Sequence, residues 1–138
     1  MGLICIKSLT MTPTISIKTL HLEYRLWINE LSFAKEEINI YERHLEELIA
    51  ANTDTYILAE AEKFQNQFIC QKEVIDVLKH DLHVSERQLA NVAKNLSGFG
   101  LETMRMDNHE QLRERMKTFR KLIQELKDEF KVFESKIF

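Results

Sequence analysis

The sequence predicts an all-α fold, an antiparallel three-helix bundle of long, coiled-coil-like helices. Three observations predict it. Apolar residues recur at alternating steps of four and three along most of the chain, which is the period of a heptad seam. Three glycines and one proline in 138 residues are too few turn-formers for a sandwich or a barrel. Two short breaks, "ANTD" at 51–54 and "SGFG" at 97–100, divide the pattern into helices over about 13–50, 54–96 and 107–137.

In the first helix the seam is Leu20, Tyr24, Trp27, Leu31, Ala34, Ile38, Tyr41, Leu45 and Leu48. Thr12 followed by Pro13 suits an N-cap and a first helical residue. Within the first break, Asn52 accepts a left-handed conformation and Thr53 or Asp54 caps the next helix. That helix resumes the seam at Ile57, Ala61, Phe64, Phe68, Gln71, Ile75, Leu78, Leu82, Ser85, Leu89, Val92 and Leu96. Asp107 and Glu110 read as a capping box opening the third helix, whose seam is His109, Leu112, Met116, Phe119, Ile123, Leu126, Phe130, Phe133 and Ile137.

Short connections favour antiparallel neighbours, so the first and third helices are expected to lie parallel. The flanking charges agree with that register. Facing g and e positions pair Glu23 with Arg113, Glu30 with Arg120, Glu37 with Lys127 and His44 with Glu134. Between the second and third helices the facing pairs are Glu60 with Lys136, Gln67 with Glu129, Val74 with Leu122, and Asp81 with Arg115. Between the first and second, Ile49 meets Leu58 and His21 meets Glu86, but Lys35 meets Lys72. Exposed pairs contribute only about 0.3 kcal/mol each, so they select register. Burial of the seam, at roughly 1.5–3 kcal/mol per large side chain, supplies the stability.

Bulk properties exclude several function classes. A net charge of −3, with bases interleaved among acids, gives no footprint for nucleic acid or an anionic membrane. Cys5 and Cys70 are far apart and form no CxxC pair, which fits a reducing compartment and a cytoplasmic protein. No apolar run approaches the roughly 20 residues of a transmembrane helix. The start, "MGLICIKSL", is too short for a secretory signal and carries Ile6 where a myristoylation motif wants Ser or Thr. Met11 is an alternative start, which would leave residues 1–10 outside the protein. Residues 1–12 are otherwise an N-terminal extension, disordered or packed on the second helix, and 13–138 form one domain.

Candidate chemistry is sparse. In "IDVLKHDLH" at 75–83, Asp76, His80 and His83 share helical spacing. They occupy b and f positions facing away from the bundle, without the converging ligands and second shell of a metal centre. A different group falls in one end layer: Leu20, Ser85 and His109, with His21 and Glu86 on its edge. His109 is expected to hydrogen-bond Ser85 or water; the alternative is a zinc or nickel ion held by His21, Glu86 and His109. "SGFG" lacks the preceding strand and the lysine of a phosphate loop. Cys70 has no histidine three or four residues away, and Gln71, opposite Ala34, sets register. No catalytic residue and no cofactor are expected.

A lone bundle leaves two features unexplained. Leu22, Leu26, Phe33 and Ile40 form a second apolar stripe on the outer face of the first helix, and Ile69, Cys70, Val77 and Val84 do likewise on the second. A stripe at helical spacing invites a protein partner, most simply a second copy in a homodimer. The second helix also overhangs the matched layers by Leu89, Val92 and Leu96, about 17 Å. Pro13 to Ile17 and the loop residues Phe99, Leu101, Met104 and Met106 are available to cover it.

The stretches "HLEYRLWINELSFAKEEINIYERHLEEL", "FQNQFICQKEVIDVLKHD" and "HEQLRERMKTFRKLIQELKDEF" resemble a family of small, uncharacterised bacterial all-helical proteins over most of residues 20–133. That resemblance implies an all-helical bundle and no assigned activity. Three long helices with a tryptophan in the first seam are also similar in architecture to a spectrin-like repeat.

Overall fold

Heptad spacing and a near absence of helix breakers leave this chain little choice but long helices. The computed structural model describes residues 17–95 and 107–137, and contains α1 (Ile17–Ala50), α2 (Thr55–Asn95) and α3 (Asp107–Ile137). The expected N-terminal turn at Pro13, the loop at 96–106 and Leu96 lie outside the described residues.

Local chemistry sets the α1–α2 corner. The Asn52 amide donates to the Ile49 carbonyl at 3.1 Å, closing α1. Asn52 Oδ1 accepts from the Asp54 amide at 3.0 Å, an Asx turn that redirects the chain. Asp54 Oδ1 then accepts from the Tyr56 amide at 2.9 Å, so Asp54 rather than Thr53 caps α2. At the start of α3 the Glu110 carboxylate engages Arg113 at 2.6 Å; the other half of the anticipated capping box, the Asp107 side chain, lies outside the described residues.

Three helices pack as a bundle whose directions follow from their contacts. Along α1 and α2 the partners run in opposite order: His21 with Glu86, Lys35 with Asp76, Glu42 with Lys72. Along α2 and α3 they also run in opposite order, Glu60 with Lys136 and Asp81 with Arg115. Between α1 and α3 they ascend together. Glu23 pairs with Arg113 at 2.8 Å, Glu30 with Arg120 at 2.7 Å, Glu37 with Lys127 at 2.8 Å, and His44 with Glu134.

One expected contact is replaced. Lys35 and Lys72 do not confront each other: Lys35 reaches Asp76 at 2.7 Å and Lys72 reaches Glu42 at 2.7 Å. Long flexible stems let each lysine slide to the nearest carboxylate, so like charges opposite one another on a helical wheel need not meet.

The seam residues form the core. Leu31, Leu45, Ala61, Ile75, Leu82 and Met116 are completely buried, and Leu89 at the α2 overhang is also buried. Ile17 packs against the core from the α1 terminus. The end holding the α1–α2 corner is aromatic. Phe130 sits 5.5 Å from both Phe64 and Phe68, and Tyr41 stacks on Phe68 at 5.9 Å. Ile28, outside the seam, is buried as well, widening the apolar face of α1. Tyr41 is only partly buried.

Candidate functional site

The outer stripe of α1 is exposed as its spacing requires. Leu22, Leu26, Phe33 and Ile40 point away from the core, and Phe33 retains 69% of its accessible surface. Their spacing of four, seven and seven residues keeps them on one side of a straight helix. Phe33 and Ile40, with Ser32, Glu36 and Glu37, wall a shallow open depression of about 440 Å³ built from α1 alone.

The α2 residues assigned to the same surface divide. Ile69 and Val77 are exposed, as is the free Cys70, whereas Val84 is partly buried. Val77 and Cys70 belong to a different feature, an apolar groove between α2 and α3 of about 680 Å³. Its walls include Val74 and Leu122, and Leu78 and Phe119 also line it. Val74 and Leu122 are a facing g-position pair, where a coiled coil ordinarily carries charge. Two apolar residues there were the sequence signal for this groove.

At the opposite end from the aromatic cluster lies the only densely polar layer among the described residues, and it differs from the expectation. His109 is 2% exposed and its ring stacks on Trp27 at 5.7 Å. Its Nδ1 lies 3.1 Å from the Tyr24 hydroxyl, not on Ser85. Its Nε2 lies 2.7 Å from the Arg113 guanidinium and 3.1 Å from Glu23. Ser85 instead accepts from Asn108 at 3.0 Å.

Protonation follows from this inventory. A guanidinium has donors and no acceptor, so Nε2 accepts from Arg113, the ring is neutral, and Nδ1–H donates to Tyr24. Burial and then the Arg113 charge lower the His109 pKa, against the opposing pull of Glu23 and Glu110. Burial likewise raises the Tyr24 pKa, keeping the hydroxyl protonated. Arg113, His109 and Tyr24 thus form a hydrogen-bonded chain between α3 and α1, and Asn108 with Ser85 ties α3 to α2 beside it. His109 at its centre is closed to solvent, so the chain orders an end layer.

The grouping of His21, Glu86 and His109 as metal ligands is not what the side chains adopt. Glu86 lies 3.7 Å from His21 and 3.6 Å from His83, while His109 turns to the Glu23 side of α1. Glu86 also lies 3.7 Å from Arg25, and its buried Oε2 makes no hydrogen bond. Asp76 is occupied by Lys35 and His80 is exposed. No group of three His, Cys, Asp or Glu among the described residues is placed to hold a metal ion. Among the same residues, no helix is long and apolar enough to cross a membrane.

No protein-family model, curated protein or solved structure matches the chain.

Proposed function

We propose that this chain is a non-enzymatic protein-interaction module, working in the cytoplasm and self-associating as a homodimer through the outer stripe of α1. The observation that carries this reading is the exposure of Leu22, Leu26, Phe33 and Ile40 in one row. Scattered exposed apolar residues are ordinary; four aligned on one helix face are a surface that gains from leaving water.

A two-fold dimer requires a self-complementary patch. Antiparallel apposition of two stripes supplies one, because their centre falls near Leu31. Leu22 then lies over the second copy's Ile40, Leu26 lies close to the second copy's Phe33, and Arg25 faces the second copy's Glu36. From Leu22 to Ile40 the stripe is about 27 Å long, and the three-helix core behind it keeps it straight.

The test is a double substitution, Phe33→Glu with Ile40→Lys, followed by sedimentation equilibrium and circular dichroism. The helical signal should stay unchanged while self-association is lost. Unfolding of the variant would show those positions to be core and would contradict the reading.

A further inference from the structure

The groove between α2 and α3 is a second surface, walled by different helices from the α1 depression, and acids outnumber bases on its boundary. We infer that it receives a basic amphipathic helix from a partner protein, which docks as a fourth helix of the bundle.

Why the groove exists is visible in the pairs on either side of it. Asp81 with Arg115 at 2.8 Å and Glu60 with Lys136 at 4.0 Å tie α2 to α3 toward their ends. Between those ties Val74 and Leu122 stand 40% and 44% exposed. Neither has the long stem with which a lysine or glutamate at that position covers the seam beneath it. A smaller hollow of about 230 Å³ continues the groove and shares Cys70 and Leu122 with it. From Gln67 to Leu78 the combined trough follows α2 for about 17 Å, or three helical turns. That length suits a helix laying down an apolar face at i, i+4 and i+7.

The rim selects the chemistry of the occupant. Glu73 and Glu114 stand at the larger hollow, Glu125 and Glu129 at the smaller. Arg115 is the one base lining either, and Asp81 already neutralises it. Glu114 reaches only its neighbour Lys117, at 3.3 Å on the exposed surface.

A second observation is independent of those charges. Gln67 and Gln71 line the smaller hollow, and each keeps a side-chain carbonyl oxygen buried without a hydrogen-bond partner. A buried acceptor left unpaired is costly, so the chain's own groups do not fully satisfy the floor of this hollow. Apolar walls and an excess of carboxylates over bases along the rim together ask for leucine-like anchors flanked by lysine or arginine. The acidic rim also speeds encounter with a cationic partner at low salt.

Cys70, inside the trough, reports occupancy directly. The full chain carrying Cys5→Ser is alkylated at Cys70 with and without a synthetic helical peptide of about four turns. The peptide is built from leucine on one face and lysine on its flanks. Protection of Cys70 is expected with this peptide. No protection is expected with the same composition in scrambled order, or with glutamate replacing lysine. Leu122→Lys and, separately, Val77→Lys should weaken binding by about tenfold or more, roughly 1.4 kcal/mol, with unchanged circular dichroism. Equal protection by the glutamate peptide, or unchanged affinity in both variants, overturns the inference. If Cys70 is shielded without peptide only at high protein concentration, the occupant is a second copy. If it is shielded at every concentration, the chain covers its own groove. Either result also overturns the inference.

Discussion

His109 shows how a single residue is specified at one level and open at another. Its a position at the head of α3 placed it in the end layer with Ser85, and it lies there. Its partner was not readable, because heptad register fixes height along the bundle but not which neighbouring side chain reaches across. Tyr24 at a seam position and Glu23 at g both lie within reach, and Arg113, one turn along α3, completes the set. The lowered pKa has a consequence of definite sign. The folded state holds the ring neutral, whereas in the unfolded chain it titrates near the ordinary imidazole value of about 6.5. His109 therefore contributes stability that is fully present above that pH and is lost as pH falls through the lower folded value. Between pH 7.5 and 5, the midpoint of thermal unfolding should fall further in the native chain than in His109→Gln, which cannot take up the proton. Parallel curves for the two proteins would remove His109 as the cause.

At the scale of the element, the seam was readable nearly residue by residue, since burial in a long helix follows a fixed period. Exceptions have local causes. Ile28 is buried beside the seam, where α1 turns its e side toward α2. The facing lysines 35 and 72 find separate carboxylates, because a wheel diagram carries no side-chain length. Two phenylalanines separate core from surface by measurement. Phe68, enclosed by Phe64, Tyr41 and Phe130, should cost about 3–5 kcal/mol when replaced by alanine. Phe33, outside the core, should change stability by no more than about 0.5 kcal/mol. Denaturant titration of the two variants gives both numbers, and similar losses would mean that the seam has been placed on the wrong face of α1.

For the molecule as a whole, three helices and the corner between α1 and α2 followed from pattern and breakers, and the four pairs between α1 and α3 fixed how they register. The groove between α2 and α3 was less accessible to sequence reasoning. Val74 and Leu122 could be matched across the interface, but whether two branched side chains close it or leave it open depends on how closely the helices approach. The side-chain directions in the end layer were open for a related reason: His21 reaches Glu86 and His109 reaches Glu23, on opposite sides of α1, which a shared layer does not specify.

Two surfaces remain outside the core, and the α1 stripe carries the functional reading. The most direct test is the light-scattering mass of the native chain after size exclusion, over a range of concentrations. The account predicts a species of twice the 16.4 kDa chain mass as concentration rises. A mass of one chain at every concentration would contradict self-association through that stripe.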